Sequence, residues 1–124
     1  MKKETKKIKL TDNEYRLMEV IWDEEPVLAT KLVEICLEKC GWKKSTVYTM
    51  IRRMDSKNIL SFGESVVVSK VKKEQVLKAE GEALLQKAFG DSLPDFFAAF
   101  LEGRQLTKSE SAKIQKMIKE ATKK

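Results

Sequence analysis

Histidine is absent from this sequence of 124 residues, which removes the most common general base and the most common zinc ligand. The sequence also contains no glycine-rich phosphate loop and no nucleophile elbow. Its carboxylates follow ordinary helical charge patterns. We therefore predict that the protein is not an enzyme, has no catalytic residues, and needs neither a metal nor a cofactor.

Cysteine is scarce, and the only two, Cys36 and Cys40, stand four residues apart in a predicted helix. Such a pair supplies at most two ligands to a metal, and the other ligands would have to be carboxylates. A disulfide is not expected in a reducing compartment. We interpret the pair as one small buried thiol and one half-exposed thiol.

The sequence has no run of eighteen apolar residues, the length that indicates a membrane-spanning helix. Its basic first segment, MKKETKKIKL, is not followed by an apolar segment of signal-peptide length. We therefore expect a cytoplasmic protein without a membrane partner.

Apolar residues make up 42% of the chain and charged residues 35%, which suits one compact domain or two small ones that share a core. The net charge of +6 is only a weak indicator of a polyanionic partner. Its distribution is more informative, because residues 39–57 contain six basic residues and a single acidic one, Asp55. Positive charge is thus concentrated in one segment of the chain.

Hydrophobic periodicity and capping residues predict three helices, a hairpin and three further helices. Capping boxes of the T-x-x-E type begin the first and last helices, at Thr11 and Thr107. The predicted helices cover residues 11–23, 29–39, 44–57, 73–89, 93–102 and a segment that starts at 107, and the hairpin covers residues 59–71 around Gly63-Glu64. This order predicts a mainly α protein with a small β hairpin: a winged helix-turn-helix domain at residues 1–71, followed by a helical region at residues 72–124.

The third predicted helix has two chemically different faces. A helical wheel places Val47, Met50, Ile51 and Met54 on one side. The other side offers hydroxyls and cations that can contact base edges and phosphates, with no acid among these six residues: Ser45, Thr46, Tyr48, Thr49, Arg52 and Arg53. The alternative is an ordinary solvated helix, but such a face usually includes Glu. We therefore predict that this helix binds double-stranded DNA, assisted by Lys43 and Lys44 at its positive end.

The segment GWKKSTVYTMIRRM resembles the recognition helix of the penicillinase repressor (BlaI/MecI/CopY) family of bacterial regulators. The residues that match the family pattern are Trp42, Thr46, Val47, Thr49, Ile51, Arg53 and Met54. The segments LTDNEYRLMEVIWDEEPVLATKL and SLPDFFAAFLEGRQLTKSESAKIQKMI extend the resemblance over residues 10–119. It implies a homodimeric transcriptional repressor that binds a pseudo-palindromic operator, with DNA contacts from Trp42, Lys43, Lys44, Ser45, Thr46, Tyr48, Thr49, Arg52 and Arg53.

Two features depart from the family pattern near the DNA-binding helix. Many relatives have Pro at the position of Lys44 and a basic residue at the position of Tyr48, which predicts a different base preference. The predicted wing lacks the Arg common there and carries Glu64 instead, which weakens its contact with phosphate.

The resemblance also implies that the C-terminal helices form the dimer interface, so that residues 72–124 are a dimerisation domain. The fifth helix is independently too rich in Phe for a short solvent-facing helix, although these side chains could instead form a simple core. The predicted interface residues are Leu84, Leu85, Phe89, Leu93, Phe96, Phe97, Phe100, Leu101, Ile114, Met117 and Ile118.

Two sequence features concern regulation. In antibiotic-sensing members a protease inactivates the repressor at an Asn-Phe bond within the fifth helix, and the matching pair here is Ala99-Phe100. The missing Asn argues against cleavage as the induction step, and a sensor-protease antirepressor stays an open alternative as a partner. The C-terminal cysteines of copper-sensing members are absent. Two other functions stay open: a winged-helix module that binds protein through bulky apolar anchors, and a repressor gated by a small molecule near the fifth helix.

Overall fold

The computed structural model describes residues 8–122. These residues form six helices and three short strands, in the order α1 Asp12–Glu24, β1 Val27–Leu28, α2 Ala29–Cys40, α3 Lys44–Ser56, β2 Leu60–Gly63, β3 Val66–Ser69, α4 Lys73–Phe89, α5 Leu93–Leu101 and α6 Lys108–Ala121. Three helices followed by a β wing constitute a winged helix-turn-helix, which confirms the predicted fold. Across the described residues, none of the helices combines the length and the apolar character needed to span a membrane.

The chain divides into two compact units, Met1–Ala83 and Leu84–Lys124, and the boundary between them lies inside α4. The first unit therefore continues past the wing into α4, and Val76 of that helix is fully buried. The boundary predicted at residue 71 separates a DNA-binding domain from a dimerisation domain. It concerns function and not compactness, and it stays a prediction.

Local capping interactions set the ends of the first three helices. The Thr11 hydroxyl accepts from the Glu14 amide at 3.1 Å and the Glu14 carboxylate accepts from the Thr11 amide at 3.0 Å, which confirms the predicted capping box of α1. Helix α2 ends before Gly41, its C-cap residue, whose φ of 71° is left-handed. Asn58 adopts the predicted left-handed conformation after α3, with φ of 65°.

The wing is part of a three-stranded antiparallel sheet with the order β1-β3-β2, so the prediction of two strands missed β1. The predicted turn was also displaced by one residue, because Glu64 and Ser65 have positive φ and form the two-residue loop. The turn must lie at residues 64 and 65 for both Leu60 and Val67 to be buried. A strand register shifted by one residue would turn each of these side chains to the other face of the sheet.

The core of the first unit is built from one face of each of its first three helices together with the wing. Its fully buried side chains include Leu17, Met18, Ile21, Leu32, Val47, Ile51, Met54, Leu60 and Val67. Polar contacts fix the wing to the end of α1. The Trp22 indole donates to the Val71 carbonyl at 3.0 Å, and the Glu25 carboxylate accepts from the Ser69 amide at 2.7 Å. The wing and α3 therefore pack on the same core.

The described residues of the second unit, 84–122, form no comparable core. Neither α5 nor α6 contains a buried residue. Phe89 and Phe96 meet edge to face, and Phe96 stacks on Phe100 with ring centroids 4.5 Å apart. Large apolar side chains nevertheless remain exposed across the unit: Leu84, Leu93, Phe97, Phe100, Leu101, Leu106, Met117 and Ile118.

Candidate nucleic-acid interface

Helix α3 divides into a buried and an exposed face as its sequence predicts. Val47, Ile51 and Met54 are fully buried and Met50 is nearly so, which anchors the helix on the core. The side chains on the opposite face are exposed to solvent: Ser45, Thr46, Thr49, Arg52 and Arg53, together with Lys43 and Lys44 at the start of the helix. The packing of the first unit therefore presents hydroxyl and cationic groups outward.

The beginning of α3 favours an anion. Lys43 occupies the N-cap position without a side-chain capping hydrogen bond, and the first turn contains no acidic residue. The first backbone amides of a helix have no partner within the helix, and they form the positive end of its dipole. Together with the Lys43 and Lys44 side chains, these amides constitute an electropositive end suited to phosphate.

An open groove runs along the exposed face of α3. It is lined by Lys44, Ser45, Tyr48, Thr49 and Arg52, and these five residues are called the α3 groove below. Tyr48 is half-buried, and its ring lies 6.2 Å from the ring of Phe62 on β2. The α3 groove thus brings five of the nine predicted DNA-contacting residues together.

Trp42 is placed differently from the groove residues. It is half-buried and packs against the hydrophobic core. The guanidinium carbon of Arg16, on α1, lies 5.7 Å from the Trp42 ring centroid, within the range of a cation–π contact. Trp42 therefore supports the start of α3 and adds Arg16 to the cations near it. Sequence reasoning missed Arg16 because no local pattern connects α1 with Trp42.

Arg53 is also held outside the α3 groove. Its Nη1 atom lies 3.7 Å from Oε2 of Glu14, a carboxylate that is only 1% exposed. The Nζ atom of Lys57 lies 3.4 Å from the same oxygen. A count of acidic residues within residues 39–57 alone does not include Glu14, because Glu14 lies on α1. Two of the six basic residues in that segment thus have an acidic partner.

The cysteine pair on α2 has the predicted exposure. Cys36 is fully buried, Cys40 is half-buried, and both are free thiols. Burial, together with the neighbouring Cys40, raises the pKa of Cys36 to about 11, so the thiol of Cys36 stays protonated at neutral pH. Between residues 8 and 122, the structure contains no group of three or more Cys, Asp or Glu residues arranged to hold a metal.

At the tip of the wing, Glu64 is exposed within the two-residue loop. A carboxylate at this position repels phosphate, as its sequence predicts. The wing side chains nearest to α3 are instead apolar or small, with Phe62 packed beside Tyr48. The wing therefore supports the α3 groove rather than extending its positive charge.

The predicted dimerisation residues in the second unit are all exposed or half-buried, and none of them is fully buried. Those exposed are Leu84, Leu93, Phe97, Phe100, Leu101, Met117 and Ile118, and those half-buried are Leu85, Phe89, Phe96 and Ile114. Ala99 and Phe100, which match the cleavage position of some relatives, are both exposed on α5. The structure therefore leaves a broad apolar surface open on this unit.

Comparison with known proteins gives one family match. The family model described as "Penicillinase repressor" matches residues 10–120. Among solved structures, the solution structure of the DNA-binding domain of the repressor BlaI is similar at 21% identity and a TM-score of 0.49, over 54% of this chain and 87% of that one. The Bacillus licheniformis BlaI monomeric form in complex with the blaP half-operator is similar at 21% identity and a TM-score of 0.48, over 55% and 88%. A search of curated proteins finds no match.

Proposed function

We propose that this chain, which belongs to the penicillinase repressor family, represses transcription by placing the exposed face of α3, with its α3 groove residues, in the major groove of operator DNA. The observation that carries the proposal is the exposure of hydroxyl and cationic side chains along a helix whose other face is fully anchored in the core. The function is binding, and no catalytic step is involved.

The α3 groove contains the groups that DNA recognition requires. The B-DNA major groove is about 12 Å wide and admits an α-helix. The Thr49 and Ser45 hydroxyls can exchange hydrogen bonds with base edges, and the Arg52 guanidinium can bind guanine with two hydrogen bonds. Lys43 and Lys44 lie at the positive end of α3 and are suited to phosphate. We therefore assign base contacts to the middle of α3 and phosphate contacts to its start.

We further propose that a second copy of the chain covers the apolar surface of residues 84–124. A unit of about 40 residues rarely buries enough surface to be stable alone, and oligomerisation is a usual remedy. The α5 and α6 helices bury no residue, whereas Phe97, Met117 and Ile118 are each more than one-third exposed. A homodimer would present two α3 helices to a pseudo-palindromic operator, with half-sites about 34–36 Å or a small multiple apart.

The alternative functions gain no support from the site. A protein-binding module would need bulky apolar anchors on the exposed face of α3. Tyr48 is the one large aromatic in the α3 groove, and it is held against Phe62. Release by a sensor-protease antirepressor is not part of the proposal, because Ala99 occupies the position of the Asn that precedes the cut in cleaved relatives.

Selection of bound fragments from genomic DNA tests the proposal directly. We expect the purified chain to enrich a small set of fragments that share an inverted repeat. Binding to an enriched fragment should weaken steeply with salt, with a log–log slope of about −5 to −9 if a dimer neutralises roughly 6–10 phosphates. Enrichment of no fragment, or an affinity that barely responds to salt, would contradict the proposed function.

A further inference from the structure

A buried carboxylate lies between α1 and the last turn of α3. Glu14 is 1% exposed, and both of its oxygens are occupied. Oε1 accepts from the Thr11 amide at 3.0 Å, which closes the cap of α1. Oε2 lies 3.4 Å from Nζ of Lys57 and 3.7 Å from Nη1 of Arg53. One side chain thus joins the start of α1 to the end of α3.

The burial of Glu14 makes these two ion pairs persistent. A carboxylate removed from water is costly unless it is paired and hydrogen-bonded. Arg53 and Lys57 are about half exposed, so neither cation pays the full desolvation cost. Moving either cation away would leave the buried carboxylate less well compensated.

The other cations of α3 are placed differently. Arg52 is exposed and lies over the Tyr48 ring. Among the described residues, Lys43, Lys44 and Arg52 form no ion pair with a carboxylate. Neighbouring basic residues on one helix, Arg52 and Arg53, therefore differ in their availability to an anion.

We propose that Glu14 is a positioning residue for the DNA interface, which fixes α3 against α1 and keeps Arg53 and Lys57 away from phosphate. This inference rests on the proposed function, because it concerns which cations of the chain meet DNA. It assigns phosphate neutralisation to Lys43 and Lys44, leaves Arg52 to base edges, and assigns a structural ion pair to Arg53, a residue that the sequence alone groups with them.

The salt dependence of DNA binding distinguishes the two kinds of cation. A fluorescently labelled random-sequence duplex is titrated with the full-length chain at several salt concentrations. K44Q should reduce the magnitude of the log–log slope by about 0.9 for each bound protomer, since one phosphate contact is lost. R53Q and K57Q should leave the slope unchanged. A decrease with R53Q equal to that with K44Q would overturn the inference.

E14Q provides the complementary measurement. Glutamine at this position retains the capping-box hydrogen bonds, but it carries no charge. Release of Arg53 and Lys57 should steepen the slope by up to about 1.8 for each bound protomer. A lower melting temperature with an unchanged slope would show a merely structural role and would overturn the inference. If E14Q does not fold, R53Q and K57Q decide the question alone.

The same experiment separates the two proposals. A wild-type chain that does not bind the duplex, even at low salt, overturns the proposed function and the inference with it. A steep slope for the wild type, combined with an R53Q variant that behaves as K44Q does, overturns the inference alone.

Discussion

The guanidinium of Arg52 lies over the ring of Tyr48, with its central carbon 5.6 Å from the ring centroid. The same ring contacts Phe62 on the wing. Tyr48 therefore links the wing to α3 and restrains a long side chain that would otherwise lose rotamer entropy on binding. This relationship gives Tyr48 a role in preorganising the α3 groove.

Replacing Tyr48 tests this role. In Y48A, Arg52 loses its support, and we expect the ratio of operator to random-duplex affinity to fall by a factor that corresponds to about 1–3 kcal/mol, the typical value of one bidentate base contact. Y48F retains the ring and should stay close to the wild type. Fluorescence anisotropy with both duplexes measures the ratio. A ratio unchanged in Y48A would show that Arg52 does not depend on the ring.

Thr49 offers a second test of the α3 groove, because its hydroxyl is exposed at the centre of the helix. T49A should lower operator affinity more than random-duplex affinity, since a base contact carries specificity and a phosphate contact does not. S109A removes an exposed hydroxyl on α6 and serves as the matched control. Equal losses on both duplexes would place Thr49 on the DNA backbone instead.

The helices and their ends could be predicted from the sequence because their determinants are local. Thr11 and Glu14 are three residues apart, and Gly41 and Asn58 signal left-handed helix ends by residue type alone. The division of α3 into two faces follows from its apolar periodicity.

The features that escaped prediction depend on contacts between distant segments. Strand β1 has only two residues, and it exists because Val27 pairs with Val67. The partner of Arg53 is Glu14 on another helix, and Trp42 packs inward although it belongs to the segment that resembles a recognition helix. Periodicity and motif spacing carry no information about such pairs, so the sequence grouped Trp42 and Arg53 with the DNA-contacting residues.

The apolar surface of the second unit predicts self-association. M117D introduces a charge at a side chain that is 63% exposed, so it should disturb an interface while leaving the chain's own packing intact. We expect sedimentation equilibrium to show a dimer for the wild type and a shift toward monomer for M117D. L37D is the matched control, because Leu37 on α2 is 59% exposed in the first unit. A dimer equally stable in M117D would remove Met117 from the interface.

The indole of Trp22 should contribute to stability through its hydrogen bond to the Val71 carbonyl. W22F keeps an aromatic ring but leaves this carbonyl without its donor, and we expect a loss of about 1–2 kcal/mol in the free energy of unfolding. W42F is the matched control, since no hydrogen bond from the Trp42 indole occurs in the described part of the chain. Urea unfolding measures the free energy of unfolding of both variants, and the comparison holds where the m-value is unchanged. Equal losses in W22F and W42F would contradict the role of the hydrogen bond.

The raised pKa of Cys36 predicts a thiol that resists alkylation. At pH 8 a pKa of about 11 in place of 9.0 reduces the thiolate fraction roughly 100-fold, and burial limits access further. In C40S, iodoacetamide should therefore modify Cys36 only after urea is added, whereas C36S should be modified at Cys40 in the folded state. Mass spectrometry follows both reactions.

The same shift has a consequence for stability at high pH. Because the folded state holds the proton of Cys36 more tightly than the unfolded state does, the stabilisation is complete below pH 9 and disappears as the pH rises through about 11. C36A should remove this part of the alkaline decline, while C40A should retain it. Urea unfolding between pH 8 and pH 11, the pH range of that decline, is the measurement. If the free energy of unfolding falls equally with rising pH in C36A and in the wild type, ionisation of Cys36 does not cause the fall.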